Sequence, residues 1–399
     1  MKGFAGRPLA IVALPLAMLA AGAQGQAATE AVNDLALRLY DALSTGDASK
    51  NIFFSPLSIS TAFAFVHLGA RGATRGQLEE ALGFGAEGVA EALRKGRVAL
   101  DAPEEGVEFL LANKLFLQEG FDVERGFRKG VSRGGLEETS FSEDPEGSRR
   151  LVNGFVSNAT EGNIEELMPE GSVTTDTRLV IANAMYFRGA WEFPFEERLT
   201  KSMPFKGFEG TTTVNMMMQR EVNLRIGSIP GAQVLELPYR GATVASMIIV
   251  LPNKPTKKAF FELESDLKSM SITDLLEGSS FNDVDVYLPR FGVEDTSNLE
   301  IVLPKLGVTD LFLPGVSDLS GIATVTPPLS VSSAIHKAKV MVDEKGTVAA
   351  AATAIAISLQ SAAIEPPLEF KADHPFIYFL IDNQSKLVLF MGNVKELQE

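Results

Sequence analysis

The stretch Gly346-Thr347-Val348-Ala349-Ala350-Ala351-Ala352-Thr353-Ala354-Ile355-Ala356-Ile357-Ser358-Leu359-Gln360-Ser361-Ala362-Ala363-Ile364 decides how this chain is read. It carries no charge between Lys345 and Glu365 and no proline before Pro366, which is unusually apolar for a surface connection. Alternation places Thr347, Ala349, Ala351, Thr353, Ile355 and Ile357 on one side, and Val348, Ala350, Ala352, Ala354, Ala356 and Ser358 on the other. The first set is small near its start and β-branched later, which suits one face of a strand packed on a core. Yet a glycine start and four consecutive alanines hold a strand poorly by themselves. The segment is therefore expected to be a loop in one state and a strand in another.

Outward from it the chain alternates short β-rich runs with helical stretches. The runs are Phe109 to Phe116, Arg178 to Phe187, Val234 to Pro238, Ser246 to Pro252, Val284 to Pro289, Lys339 to Val342, Phe376 to Ile381 and Leu387 to Val394. Several are apolar on both alternations, as strands covered on both faces are. Helical spacing marks Ser148 to Leu167, Pro255 to Leu276 and Asn298 to Leu306. Nearer the amino terminus, Ala31, Val32, Leu35, Ala36, Leu39, Tyr40 and Leu43 define one face of an amphipathic helix. A second helix is expected from Ser55 as N-cap and Pro56 in the first position, followed by the apolar run Leu57 to Leu68. Thr74-Arg75-Gly76-Gln77 fits a capping box opening a third, through Leu82.

The 399 residues are 45% hydrophobic and 22% charged, so fibrous and unfolded readings fall away. No Pro/Gly/Ser-rich linker, repeat or charge block divides the chain. One large α+β domain is expected. Thirty-six Lys and Arg against 51 Asp and Glu give a net charge of −15, which repels nucleic acid. With no cysteine and three histidines (His67, His336, His374), there is little to build a metal site or a catalytic triad. No cofactor or metal is expected.

Lys2 and Arg7 precede the apolar run Leu9 to Ala21 and the small residues Ala21-Gly22-Ala23. This reads as a secretory signal, residues 1–23, cleaved after Ala23; a membrane anchor fits less well, because the run is short and interrupted by Pro15. Asn158-Ala159-Thr160 and Asn383-Gln384-Ser385 are then candidate glycosylation sites. Arg94, Lys95 and Arg97 form a small basic cluster, a candidate for a glycosaminoglycan but more simply a solvated face. Gly83-Phe84-Gly85-Ala86-Glu87-Gly88 matches a dinucleotide fingerprint but follows a helix rather than a strand, and reads as a helix-terminating loop. Gly130-Val131-Ser132-Arg133-Gly134 matches a hydrolase nucleophile elbow without the apolar strand that motif requires.

Several longer motifs carry a family resemblance. They are Asn51-Ile52-Phe53-Phe54-Ser55-Pro56-Leu57-Ser58-Ile59, Asn183-Ala184-Met185-Tyr186-Phe187-Arg188-Gly189-Ala190-Trp191, Leu235-Glu236-Leu237-Pro238-Tyr239 and Asp318-Leu319-Ser320-Gly321. His336-Lys337-Ala338 running to Asp343-Glu344-Lys345-Gly346-Thr347, Asp373-His374-Pro375-Phe376, and Phe390-Met391-Gly392 complete the set. Together they resemble the serpins, the serine protease inhibitors, across residues 24–399, and the wording is similar to secreted arthropod members. Phe155 stands where the family often has tryptophan.

The resemblance implies a single domain with a large main β-sheet, further sheets, about nine helices and an exposed reactive-centre loop at about 344–370. It implies a secreted, monomeric inhibitor rather than an enzyme. The loop is bait: the protease acylates itself on it, and the cleaved loop inserts into the main sheet as a new strand, distorting the protease before deacylation. Hinge roles fall on Glu344, Gly346, Thr347, Ala349, Ala350, Ala351 and Ala352; a shutter on Ser55, Ser58, Asn183 and His336; and a loop-entry breach on Trp191, Arg290 and Glu344. Counting from Glu344 puts the scissile bond at Gln360-Ser361; counting back from Phe370 favours Ile364-Glu365, and Leu359 is a further candidate.

The residues meet the physical demands of such a device. From Thr347 to Gln360 the loop reaches roughly 45 Å at about 3.3 Å per residue, comparable with the roughly 50 Å diameter of a domain this long. No charge has to be buried, which would cost several kcal/mol. Without Lys or Arg the loop offers no cation to a trypsin-like pocket, so elastase-like or chymotrypsin-like targets are expected. A non-inhibitory serpin, carrier or storage protein, is the alternative; it fits the fold but not the small-residue hinge. A secreted hydrolase has only the Ser132 motif behind it.

Overall fold

The computed structural model describes residues 13–45, 48–85, 89, 92–93, 106–131, 134–241, 245–347 and 366–398. In chain order the first half comprises α1 (Ala13–Ser44), β1 (Phe53–Phe54), α2 (Pro56–Gly69), α3 (Gly72–Leu82), β2 (Val107–Gln118), α4 (Arg125–Gly130), β3 (Leu136–Thr139), α5 (Pro145–Ala159) and β4 (Leu179–Ala190). Then follow β5 (Lys201–Lys206), β6 (Thr211–Ile229), β7 (Ala232–Pro238), β8 (Ala245–Pro252), α6 (Lys257–Leu267), β9 (Ser280–Pro289), β10 (Phe291–Asn298) and α7 (Leu299–Val302). The chain closes with β11 (Ser333–Val342), β12 (Gly346–Thr347), β13 (Leu368–Lys371), β14 (Phe376–Asp382) and β15 (Val388–Val394). Seven α-helices thus lie among the described residues, against the nine or so expected.

The strands form two sheets. One runs β10-β11-β4-β2-β3, with β12 added at the end of β4; the other runs β1-β15-β14-β8-β7-β6-β9-β13, with β5 on β6. In the first, called the main sheet here, β11 and β4 are parallel neighbours, from Ser333 opposite Val180 to Val340 opposite Phe187. Parallel pairing is slightly weaker per residue than antiparallel pairing.

β4 is buried on both faces because two helices cover it. Leu179 and Ile181 join the large core that contains α2 through Ile59, Ala62, Phe63 and Val66. Val180, Ala182, Ala184 and Tyr186 face Val152 and Val156 of α5. α2 starts as the sequence suggests: the Ser58 amide donates to Ser55 Oγ (3.1 Å), and Pro56 fills the first turn where no N–H is needed. On α5, Asp144 accepts from the Gly147 amide (2.8 Å) ahead of Pro145.

Three expected boundaries are corrected. α5 stops at Ala159 rather than Leu167, because buried Thr160 turns its hydroxyl back onto Val156 O (2.8 Å) and takes the Ile164 amide (3.1 Å), while Glu161 and Gly162 adopt positive φ. The helix expected from Pro255 breaks after Leu267, resuming as a 3-10 turn at Ile272–Leu276. α3 is opened at Arg71 without a side-chain cap; Thr74 instead accepts the Asp318 amide (2.9 Å), so the capping box does not form. Gly83 ends that helix in the left-handed conformation, as the loop reading of that glycine-rich run expects. Among the described residues no helix is long and apolar enough to cross a membrane.

Candidate functional site

At the end of β11 the chain makes a two-residue hairpin. Asp343 and Gly346 pair antiparallel, exchanging bonds of 2.8 and 3.2 Å, and Glu344 and Lys345 form the tip. The Asp343 carboxylate accepts the Lys345 and Gly346 amides (2.9 and 3.2 Å) and holds the turn. Gly346 and Thr347 then lie antiparallel on β4, opposite Ala190 and Gly189. Gly346 has φ +138°, and a Cβ there would stand 2.1 Å from Gly189 O and 2.6 Å from Ala190 Cα. Only glycine fits this approach.

Glu344 is clamped at the tip. Arg290 donates to both carboxylate oxygens (2.6 and 2.7 Å), and the Thr200 hydroxyl donates to Oε1 (2.7 Å). The carboxylate is almost fully buried, at 4% exposure, whereas the guanidinium is half exposed. Burial pushes the Glu344 carboxyl up, but the bonds from Arg290 and Thr200 outweigh it and hold it below the usual glutamate range. Its backbone O accepts from Phe195 N (2.7 Å), and Lys345 O accepts from Trp191 N (3.1 Å). Buried Trp191 stacks on Tyr239 at 4.6 Å and donates its indole N–H to Asp343 O (3.0 Å). Trp191, Arg290 and Glu344 are thus brought together, with Thr200, Asp343 and Tyr239 as partners the sequence reading did not single out.

Farther down the β11/β4 seam lies the second cluster. His336 of β11 sits opposite Asn183 of β4. The Ser55 amide donates to His336 Nε2 (3.0 Å), which puts the proton on Nδ1, and Nδ1 bonds Asn183 Oδ1 across the seam. The Asn183 amide donates to Ser58 Oγ (2.7 Å), Ser58 O (3.2 Å) and Asn113 Oδ1; Ser55 Oγ donates to Leu389 O (2.7 Å). All four expected residues are fully buried. Asn113 was missed, though a lone amide in the apolar run of β2, level with Asn183, is a signal of its kind.

Burial lowers the His336 pKa from 6.5 to about 3. The unfolded chain therefore takes up a proton in that window that the folded chain refuses. This part of the stability is complete above pH 6.5 and is lost as pH falls toward 3. Melting temperature should accordingly fall more steeply over that window in the native sequence than in His336→Gln; equal slopes would rule the histidine out as the source.

Gly346 bridges Asp343, the residue that follows β11, on one side and pairs with Ala190 of β4 on the other, and the two registers coincide. It is the register in which His336 and Asn183 are partners in the closed sheet. A strand entering here needs β11 and β4 to separate but not to slide.

The hinge positions Ala349, Ala350, Ala351 and Ala352, the bait candidates Leu359, Gln360, Ser361 and Ile364, the basic residues Arg94, Lys95 and Arg97, and Ser132 lie outside the described residues. Asn158 is exposed at the end of α5, away from the seam. Asn383 is half-buried and donates to Ser246 Oγ (3.1 Å). Phe155 is also half-buried on α5, with Lys114 Nζ 4.1 Å from its ring centre.

A family model described as Serpin (serine protease inhibitor) matches residues 30–397. Human Serpin B8 is 36% identical over 372 residues, 91% of this chain and 97% of that one. Leukocyte elastase inhibitor of Equus caballus is 37% identical over 369 residues, 90% and 96% of the two chains. Among solved structures, uncleaved ovalbumin superposes with a TM-score of 0.82 at 30% identity, covering 92% of this chain and 99% of its own. Serpin48 of the insect Tenebrio molitor gives 0.80 at 30% identity, covering 94% and 99%.

Proposed function

Because the chain belongs to the serpin family, we propose that it is a secreted inhibitor of a serine endopeptidase, acting as a suicide substrate and not as an enzyme. The observation that carries this reading is the coincidence of registers at the hairpin. The chain has already turned toward the seam, and Gly346 and Thr347 already pair with β4. Cleavage of the bait frees the rest of the loop to continue the same ladder. One parallel contact is replaced by two antiparallel ones, and the protease acylated at the loop end is carried along the sheet.

Side-chain sizes fit that path. Ala349 and Ala351 enter beside the bulky Phe187 and Met185, whereas Ile355 and Ile357 enter beside Ala334 and Ser332, where the β11 side is small. Thr353, between His336 and Asn183, brings a hydroxyl that both accepts and donates, so the bond the two lose as the seam opens is remade through it. The absence of Lys and Arg from Gly346 to Ile364 supports an elastase-like or chymotrypsin-like target, cut at Gln360-Ser361. The Lys2 to Ala23 segment supports secretion.

Incubation with such proteases should give a covalent complex that survives denaturing electrophoresis. Cleavage in the loop should raise the melting temperature by about 10 °C or more, since each added ladder bond contributes about 0.5–1.5 kcal/mol. Clean cleavage with no complex and an unchanged melting temperature would leave a non-inhibitory serpin.

A further inference from the structure

Where the chain runs into β4 and into β11, at the end of the main sheet remote from the hairpin, the described residues enclose a cleft of about 630 Å³. Clefts of roughly 300–1,000 Å³ are those that hold small ligands. One wall is the segment ending at Arg178 and the facing wall the segment from Leu329 to Ser332, and the two are tied together by Ser332 N on Leu179 O (2.8 Å) and Arg178 N on Ser332 Oγ (2.9 Å). Phe121 and Phe312, both half-buried against the core that contains α2, add an aromatic side.

The polar groups of the cleft are of both signs, and each keeps bonding capacity in hand. Arg178 gives Nη1 to Thr175 O (2.8 Å) and Thr177 O (2.9 Å), while among the described residues its Nε and Nη2 are not engaged. Glu300 takes the Ala334 amide on Oε1 (3.0 Å). Its Oε2, the Asp176 carboxylate and the Ser330 hydroxyl meet no partner among the described residues, and all three residues line the cleft. An anion here would be repelled by two carboxylates and a cation by the guanidinium. A neutral hydroxyl suits both, because it donates to the one and accepts from the other. A ring that carries such hydroxyls at its rim and C–H groups on its face also suits the aromatic side, whose faces are the negative part of the ring quadrupole.

We propose that this cleft is a saccharide site, taking a neutral sugar of one or two rings, with its hydroxyls on Asp176, Arg178 and Glu300 and a ring face against Phe121 or Phe312. Because the walls come from the segments that lead into β4 and into β11, the bound sugar holds those segments together and favours the closed sheet. Binding stands apart from the insertion reading above; only this coupling rests on it.

The probes are maltose, cellobiose and N,N′-diacetylchitobiose, titrated into the full-length protein and followed by saturation-transfer NMR and thermal melting. At least one should bind saturably and, at ten times its dissociation constant, raise the melting temperature by about 2 °C beyond trimethylamine N-oxide at the same molarity, which controls for simple exclusion of solutes from the surface. Asp176→Ala, at an exposed position, should weaken binding at least fivefold, and Ser330→Trp, whose indole occupies the cleft, should abolish it. Absence of saturable binding by all three sugars overturns the site, as does binding that Asp176→Ala leaves intact; should Ser330→Trp not fold, Asp176→Ala still decides. The loop-cleaved protein should bind the same sugar severalfold more weakly. Equal binding before and after cleavage overturns the coupling to the seam, whereas an unchanged melting temperature on cleavage without sugar marks a failure of the insertion reading and leaves the saccharide site to the binding data.

Discussion

On the proposed insertion mechanism, Thr347→Arg is expected to leave a protein that the protease cleaves without being trapped. Thr347 is paired with Gly189 at the head of the seam, the first position after the glycine that must be swallowed if the loop is to follow. An arginine there has to take its charge between β11 and β4, at a cost of several kcal/mol unless paired. Insertion would stall at its first step, and the acyl-enzyme would hydrolyse. The rate of loop cleavage should stay close to that of the native sequence while the stoichiometry of inhibition rises by an order of magnitude or more. A stoichiometry unchanged from the native sequence would show that the hinge does not govern trapping.

Glu344→Lys acts on the ground state instead. The lost pair is one-sided, a buried carboxylate against a half-exposed guanidinium, so an ammonium in its place lies buried beside Arg290 with no compensating charge. Breaking a buried pair in this manner costs about 3–5 kcal/mol, and the exposure of Arg290 argues for the lower part of that range. The hairpin tip should come free of Phe195 and Thr200, leaving the head of the seam unguarded. Chemical unfolding should show the loss, and native gels after mild heating should show higher oligomers. Arg290→Gln should lose less, since Thr200 still donates to the carboxylate. A Glu344→Lys protein as stable as its parent would remove the clamp from this account.

The parts of the fold that were legible in the sequence are those in which one physical signal dominates. α2 announces itself by Ser55, Pro56 and a largely apolar run, and β4, β8, β14 and β15 by apolar residues on both alternations. β10 was not legible: its buried positions include Asp295 and Ser297, so the inner face of Phe291–Asn298 does not read as apolar. Asp295 is tolerated there because Lys50 pairs with it (2.5 Å) and the Phe53 amide donates to it (3.4 Å), partners far away in sequence. β6 was hidden by a bulge between Gln219 and Val222, where Glu221 takes a positive φ and the alternation changes phase. Thr74 misled because its hydroxyl had a better partner across the fold than along its own helix.

The clustered polar residues divide similarly. Ser55, Ser58, Asn183, His336, Trp191, Arg290 and Glu344 were singled out by family resemblance, and spacing alone would not have joined Arg290 to Glu344 or Ser55 to His336. Asn113 and Thr200 needed the register and the packing. The alternation of small and branched residues from Thr347 to Ser358 was read from periodicity alone, and residues 348–358 lie outside the described residues.

Because the two registers at Gly346 agree, each residue of a loop inserting as proposed would meet the same step as the one before, with the pair ahead of it already in line. No shear would accumulate along the way. Insertion as proposed would be a ratchet with its pawl at the head of the sheet, and its contest with deacylation would be decided by how soon the first few teeth engage. The rest of the travel adds time, but it does not reopen the decision.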